Sequence, residues 1–160
     1  MPRRDVVATI EPLGGDDLVA LAQCHALDAT VFPHVSLPKV LGLPSVFVAK
    51  DDRGVVGFAA ISSAERGVIE IRGLAVDAAK RRQGIGRVLL RAAVREAKAR
   101  GARHVLLHVS TTNETAIALY ESERFEIVER ARGYYRAGVF GDDGDAYVMV
   151  KALRRRRTKS

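Results

Sequence analysis

The clearest pattern of hydrophobic and polar positions lies between residues 84 and 100, where apolar side chains recur at helical spacing. Charged residues occupy the opposite side of the same turns, and Gly101 follows the last of them. The apolar stripe consists of Ile85, Val88, Leu89, Ala92 and Ala93. This pattern predicts an amphipathic helix over residues 84–100.

Shorter apolar segments bounded by turn residues predict strands. Asp51-Asp52-Arg53-Gly54 is typical of a tight turn, so the segments on either side of it form a predicted hairpin. The segment His104–Val109 is almost entirely apolar, which predicts burial on both faces. The predicted strands are 6–12, 46–50, 55–62, 68–76, 104–109, 125–128 and 146–153.

Two further helices complete the predicted fold. One follows the turn residues at 14–17 and runs over 18–25, and the other follows Thr112-Asn113 and carries Ile117 and Tyr120. The order of elements predicts an α/β (α+β) fold with a mixed, twisted sheet of six to seven strands and helices on both faces. A crossover through the helix at 84–100 places strands 68–76 and 104–109 side by side and parallel.

Composition and charge narrow the class of protein. The chain has 160 residues, which suits one domain over residues 1–153, and its net charge is +7. Residues 151–160 contain six positive charges and no acid, and subtracting these six from +7 leaves +1 for the rest. We therefore expect a nearly neutral body with a solvated, disordered basic tail at 154–160. Contact between this tail and RNA or the ribosome is the alternative.

The sequence also limits the location and the chemistry. No apolar run approaches the ~20 residues that span a bilayer, and the first residues do not resemble a signal peptide, so we expect a cytoplasmic protein without membrane contact. Cys24 is the single cysteine, which excludes a disulfide framework and a cysteine-based zinc site. No other pattern of metal ligands is visible.

The segment between the strand at 68–76 and the helix at 84–100 has the chemistry of a phosphate site. Gly84 and Gly86 leave room for an anion beside the amide groups of the first helical turn, which have no partner within the helix. Positive charge surrounds the same point, from Lys80, Arg81, Arg82 and Arg87. A Walker loop and a dinucleotide fingerprint are both excluded, because Gly-Lys-Ser/Thr is absent and residue 89 is leucine instead of the third glycine.

The motif Arg-x-x-Gly-x-Gly at residues 81–86 resembles the coenzyme A loop of the GNAT acyltransferases. A second segment, Thr112 to Glu121 followed by Phe125, resembles the other diagnostic motif of that family. The resemblance implies a single GNAT domain, acetyl-CoA as the cofactor, and a place for Tyr120 beside the thioester sulfur. It implies cofactor contacts by Leu74, Ala75, Val76, Arg81, Arg82, Gln83, Gly84, Ile85, Gly86, Arg87, Asn113 and Tyr120.

Acyl transfer to an amine needs a base for the amine and an acid for the leaving thiolate. Glu70 and His108 are ionisable residues among apolar neighbours on the two strands predicted to be adjacent, so both can point into one cleft and share a water. The alternatives are a Glu70–Arg72 pair on one strand and a histidine satisfied in the core. In GNAT enzymes a proton acceptor is frequent at the position of Glu70, and His108 matches a catalytic histidine of one subgroup. Tyr120 is the corresponding acid.

Two further segments resemble the acceptor site of the Naa50-type and RimI-type protein N-terminal acetyltransferases. The segment Val31-Phe32-Pro33-His34-Val35 is similar to their substrate loop, although His34 departs from the pattern. Tyr134-Tyr135 is similar to their tandem tyrosines. The resemblance implies substrate contacts by Phe32, Pro33, Val35, Tyr134 and Tyr135, and direct attack by a peptide or protein α-amine in a ternary complex.

Two alternatives remain open. One is an acetyltransferase for a small amine such as a polyamine, an antibiotic or an amino acid, for which acidic residues would line the acceptor cleft. The other is a regulator with the GNAT fold that binds acyl-CoA or RNA without turnover. The combination of Glu70, His108 and Tyr120 argues for an enzyme.

Overall fold

A computed structural model describes residues 9–12, 45–135 and 143–154 of the chain. The helix predicted at 18–25, the segment 31–35 and residues 155–160 of the basic tail lie outside the described residues. None of the helices in the described part is long and apolar enough to cross a membrane.

The described residues form seven strands and two α-helices. The strands pair into one mixed sheet in the order β1-β2-β3-β4-β5-β7-β6, which confirms the predicted mixed sheet. A 3-10 turn at Ala78–Lys80 follows β4. The elements are β1 (Thr9–Pro12), β2 (Ser45–Asp51), β3 (Gly54–Glu65), β4 (Val68–Val76), α1 (Ile85–Ala99), β5 (His104–Ser110), α2 (Glu114–Ser122), β6 (Glu126–Ala131) and β7 (Ala146–Ala152).

The chain divides into two compact units. The first consists of Met1–Ser62 and Arg72–Arg95, and the second of Ser63–Ile71 and Glu96–Ser160. In the first unit, β1 pairs with β2 and β2 with β3, both antiparallel, and the predicted turn joins β2 to β3. A Cβ atom on Gly57 of β3 would lie 2.9 Å from the Ala75 carbonyl oxygen and 2.9 Å from Leu89 Cδ1. A side chain is therefore excluded where β3 packs against β4 and α1.

The buried stripe of α1 differs from the predicted stripe. Val88 is 48% exposed, whereas Leu90 and Val94 are buried. The buried residues follow the i, i+4 rows of the helix and are Ile85, Leu89, Leu90, Ala93, Val94 and Ala97. Leu90 and Val94 widen the stripe on the side away from Val88, because residues one position apart differ by about 100° around a helix.

In the second unit, β4 runs parallel to β5, and β7 pairs antiparallel with both β5 and β6. The parallel pairing confirms the crossover inferred from the sequence. Along β5, Val105, Leu107 and Val109 are buried, whereas His104 is exposed and Leu106 and His108 are half-buried. The prediction that β5 is buried on both faces is therefore wrong. One face of β5 is buried, and the other keeps partial access to solvent.

The helix α2 begins as the sequence predicts. The Asn113 side-chain oxygen accepts a hydrogen bond from the Ala116 amide at 3.2 Å, which is an N-cap. At the other end, the Phe125 amide donates to the Tyr120 carbonyl oxygen at 3.0 Å, and Lys151 Nζ donates to the Glu123 carbonyl oxygen at 2.6 Å. The first of these bonds closes the turn after the helix, so β6 begins at residue 126 and not at the predicted residue 125.

Candidate active site

Two ionisable side chains meet on the half-buried face of the second unit. Glu70 on β4 pairs in register with Leu106 on β5, and His108 lies two residues further along β5, on the same face. His108 Nδ1 is 3.2 Å from Glu70 Oε1. Glu70 is buried, with 8% of its surface exposed, and the side chain of His108 is 20% exposed. The sequence predicted two groups sharing a water, and the structure brings them into direct contact.

The imidazole of His108 is held on one flat side by a tyrosine. The rings of His108 and Tyr134 are stacked, with centroids 4.0 Å apart and planes inclined by 3°. The buried Nδ1 atom has no hydrogen bond of good geometry within the part of the chain that the structure describes, although the Glu70 carboxylate is near it. A small rotation of the ring would make that contact a hydrogen bond, and a protonated imidazole would gain a charge-assisted one.

The tandem tyrosines lie where β6 turns back toward β7. The rings of Tyr134 and Tyr135 are nearly perpendicular, with centroids 4.9 Å apart. The Gly133 amide donates to Asp145 Oδ1 at 2.9 Å, and the Tyr135 amide donates to the Gly144 carbonyl oxygen at 2.8 Å. Hydrogen bonds donated by their backbone amides therefore hold the residues on both sides of Tyr134 in place.

Asp145 connects several parts of this turn, and the sequence analysis did not single it out. Its Oδ2 atom accepts from Arg130 Nε at 2.8 Å, and its carbonyl oxygen accepts from the Thr111 amide at 3.2 Å, just beyond β5. Hydrogen bonds from the Gly133 amide and from the Arg130 guanidinium lower the pKa of Asp145. Asp143 also accepts from Arg130, at 3.1 Å. Through these hydrogen bonds, Asp145 connects the turn that carries the two tyrosines to the end of the strand that carries His108.

Tyr120 lies in the same unit, on α2. Its side chain is buried and its ring lies 6.0 Å from that of Phe125. Burial raises the pKa of Tyr120 to about 12. Burial also raises the pKa of Tyr135, as do the charges that Tyr134 and Tyr120 would carry as phenolates. Both Tyr120 and Tyr135 are therefore neutral proton donors at physiological pH.

The predicted phosphate loop lies in the first unit. Arg82 and Gly84 have positive φ angles of 66° and 78°, and the Gly84 carbonyl oxygen accepts from the Val88 amide at 3.1 Å, which opens α1. A Cβ atom on Gly84 would meet nothing within 4 Å, so the space beside it is open. The side chains of Arg81 and Arg82 are exposed, and the first turn of α1 contains no acidic residue. These features suit a pyrophosphate.

The comparison with protein families decides the assignment. Residues 19–125 match the family described as Acetyltransferase (GNAT). The chain belongs to the GNAT acetyltransferase family. This confirms the resemblance that the two sequence motifs indicated.

Relatives of this GNAT protein include N-terminal acetyltransferases. It is 44% identical over 80 residues to [ribosomal protein bS18]-alanine N-acetyltransferase of Escherichia coli K12, which is 50% of this chain and 51% of the relative. The chain therefore spans about half the length of this relative. The N-alpha-acetyltransferase RimI of Mycobacterium tuberculosis is 36% identical over 138 residues, 79% of this chain and 83% of the relative.

Solved structures show the same fold. The E. coli ribosomal-protein-S18-alanine N-acetyltransferase superposes with a TM-score of 0.78 at 28% identity, over 96% of this chain and 98% of the other. Arabidopsis thaliana Naa50 in complex with the bisubstrate analogue CoA-Ac-MVNAL superposes with a TM-score of 0.77 at 26% identity, over 92% of this chain and 100% of the other.

The predicted site residues of this GNAT protein fall into three groups. Within the second unit, the structure brings together His108 with Glu70 and with Tyr134, and Tyr134 with Tyr135. Asn113 caps α2, and its cofactor contact stays a prediction. The substrate-loop residues Phe32, Pro33 and Val35 lie outside the described residues. The other predicted cofactor residues all lie in the first unit. On β4 they are Leu74, Ala75 and Val76. In the loop and the first turn of α1 they are Arg81, Arg82, Gln83, Gly84, Ile85, Gly86 and Arg87.

Proposed function

We propose that this protein is an N-α-acetyltransferase, which moves the acetyl group of acetyl-CoA to the N-terminal α-amino group of a protein or peptide. The observation that carries this proposal is the contact of Glu70 with His108 beneath Tyr134, on a face that remains partly open to solvent. The relatives named above support the acceptor class. One is named for N-acetylation of alanine in bS18, one is named an N-alpha-acetyltransferase, and Naa50 binds an analogue that joins CoA to the peptide MVNAL.

Acetyl-CoA, when bound, supplies an activated thioester. The first-turn amides of α1, with Arg81 and Arg82, would hold its pyrophosphate. The two arginines are exposed and cationic, the helix dipole places positive charge at the amides, and no carboxylate lies in that turn. The backbone of Leu74–Val76 would align the thioester carbonyl, and Asn113 would contribute a cofactor contact from the start of α2.

His108 is the proposed base. An amine is mostly protonated at neutral pH, so it must lose a proton before it attacks. With the Nδ1 proton facing Glu70, the Nε2 atom of His108 has its lone pair available to take the proton of the amine, directly or through one water. The carboxylate of Glu70 then stabilises the imidazolium that forms, because it lies 3.2 Å from Nδ1.

Tyr120 is the proposed acid. Because its pKa is raised to about 12, its hydroxyl keeps its proton throughout the pH range in which an acetyltransferase works. The thiolate that leaves CoA needs a proton, and the neutral phenol of Tyr120 would supply it. The phenolate left behind is a strong base and would regain a proton from water. Substitution by Phe removes this proton and keeps the ring that packs near Phe125.

The test is release of free thiol from acetyl-CoA with a panel of acceptors of equal concentration. The panel contains peptides beginning Ser, Ala, Met-Leu and Met-Ala, the same peptides with a blocked N-terminus and an internal lysine, and free polyamines and amino acids. We expect release with free N-termini alone, and its loss in Tyr120→Phe. Release with polyamines but with no peptide would overturn the acceptor and support the small-amine alternative. Binding of acetyl-CoA without release for any amine would support the regulator.

The location and the tail remain predictions. A cytoplasmic location accords with N-terminal acetylation of newly made proteins. Arg154 is exposed at the end of the described segment, and the tail beyond it is proposed to be a solvated basic extension, with RNA as the alternative partner.

A further inference from the structure

The resemblance to N-terminal acetyltransferases gives both tandem tyrosines one role, contact with the substrate. The structure separates them. Tyr134 is 47% exposed and lies flat on the imidazole of His108, whereas Tyr135 is half-buried and its ring is nearly perpendicular to that of Tyr134. We propose that Tyr134 is a positioning residue for His108: its ring, not its hydroxyl, fixes the orientation of the imidazole in which Nε2 faces the acceptor. This inference rests on the proposed function, in which His108 is the base.

The geometry of the imidazole explains why such a residue is needed. Rotation about the Cβ–Cγ bond of histidine has a broad, roughly two-fold profile, so a half-buried ring is not fixed by its own torsion. Among the described residues, Glu70 is 3.2 Å from Nδ1, and this contact lacks the geometry of a hydrogen bond. A parallel ring with its centroid 4.0 Å away restricts this rotation, because turning the imidazole would drive its edge into the phenol.

Tyr134 is itself held in place, which a positioning residue requires. The amides of its two neighbours, Gly133 and Tyr135, donate to Asp145 and to Gly144 across the turn. The Tyr135 ring also contacts the phenol, in a nearly perpendicular pair. Asp145 is also bonded through its carbonyl oxygen to the Thr111 amide, three residues after His108. The two rings therefore belong to one hydrogen-bonded frame.

Stacking also favours the protonated state that forms during the reaction. An imidazolium above the face of a phenol is attracted by the electron density of the ring, as other cations are. The ring also shields from water one side of the ion pair that His108 would form with Glu70. The effect of Tyr134 should therefore fall on kcat, with little effect on peptide KM.

The experiment compares Tyr134→Phe, which keeps the ring, with Tyr134→Leu, which removes it. We expect kcat of Tyr134→Phe to stay within about twofold of wild type, and kcat of Tyr134→Leu to fall by about three- to tenfold, the range that an aromatic pair supports. Because Tyr134 is half exposed, loss of its ring leaves no closed cavity, and thermal unfolding of both variants checks that they fold.

A spectroscopic readout tests the stack without reference to activity. The carbon-bound ring protons of His108, assigned by comparison with His108→Gln, lie over the phenol and should resonate upfield. They should move downfield in Tyr134→Leu and stay in Tyr134→Phe.

Two results would overturn the inference. One is an equal rise of peptide KM in both variants with kcat unchanged, which would make the hydroxyl a substrate contact. The other is a His108 resonance that does not respond to Tyr134→Leu. Failure of the proposed function has a different signature: the wild-type protein would then release no thiol with any free N-terminus, while the ring resonances of His108 still reported the stack.

Discussion

His108 Nδ1 and Glu70 Oε1 lie 3.2 Å apart across two neighbouring parallel strands. If the carboxylate of Glu70 acts through the imidazole, removing the carboxylate lowers kcat/KM only while His108 is present. We expect His108→Gln to lower kcat/KM by about 10²- to 10³-fold, as for loss of a general base, and Glu70→Gln to lower it by roughly tenfold. In the double variant the Glu70 substitution should cost almost nothing further.

The control for this cycle is Glu121→Gln, an exposed carboxylate on α2, which should leave kcat/KM unchanged. Steady-state kinetics with one peptide and saturating acetyl-CoA measure all four variants. Additive losses from Glu70 and His108 would contradict a shared role.

The buried hydroxyl of Tyr120 makes the fold sensitive to alkali. Burial raises its pKa to about 12 in the folded protein, from 10.0 for a free tyrosine, so the folded state favours the neutral phenol. Burial of the neutral phenol therefore raises the free energy of unfolding in full below pH 10, and this stabilisation is lost as the pH rises toward 12. A shift of this size corresponds to about 2–3 kcal/mol.

Urea unfolding between pH 8 and pH 11.5 measures this loss. Tyr120→Phe should lose less stability over that range than wild type. Some decline should remain, because the pKa of Tyr135 is raised as well. An identical decline in both proteins would show that Tyr120 does not titrate in this way.

Asn113 has two proposed roles, as the cap of α2 and as a contact of acetyl-CoA, and two substitutions can separate them. Its side-chain oxygen caps α2 by accepting from the Ala116 amide, and the family resemblance assigns it a contact with acetyl-CoA. Asn113→Ala should lower the free energy of unfolding by about 1 kcal/mol, and Asn113→Asp should restore it, since aspartate is an equally good cap. KM for acetyl-CoA should rise in both variants if the amide group contacts the cofactor. A normal KM in Asn113→Asp would restrict Asn113 to capping.

Asp145 should govern the order of the tyrosine turn. Its carboxylate accepts from the Gly133 amide and from Arg130, and these bonds hold its pKa below the usual value. The folded state favours the ionised carboxylate of Asp145. The stabilisation of the folded protein by this carboxylate is therefore present above the pKa of the unfolded chain, near 4. It is lost as the pH falls through the lower pKa of the folded protein.

Asp145→Asn removes the charge and should speed hydrogen exchange of the Gly133 and Tyr135 amides at neutral pH, where NMR can follow both. Asp143→Asn is the matched control, because Asp143 is exposed and also contacts Arg130 but does not accept from Gly133. Equal exchange rates in the two variants would show that the turn is held by its backbone alone.

Local patterns predicted most of the fold in the described residues. The strand at 68–76 has the predicted bounds, and α1 and the cap of α2 follow from periodicity and from Asn113. The parallel pairing of β4 with β5 followed from the crossover rule, and it was enough to predict that Glu70 and His108 share a cleft.

Features that depend on the pairing of strands far apart in the chain could not be predicted from the sequence. The stack of Tyr134 on His108 depends on the register of β6 with β7, which shifts at an irregularity between Ile127 and Glu129. The solvent access of one face of β5 was missed because an apolar run does not show which of its faces another element will cover.

The hydrogen bond beside Tyr134 has a consequence for protein engineering. The Tyr135 amide donates to the Gly144 carbonyl oxygen, and a bond between main-chain atoms does not depend on which side chain Tyr135 carries. Substitutions of the Tyr135 side chain should therefore leave in place the main-chain anchor of the ring that rests on His108.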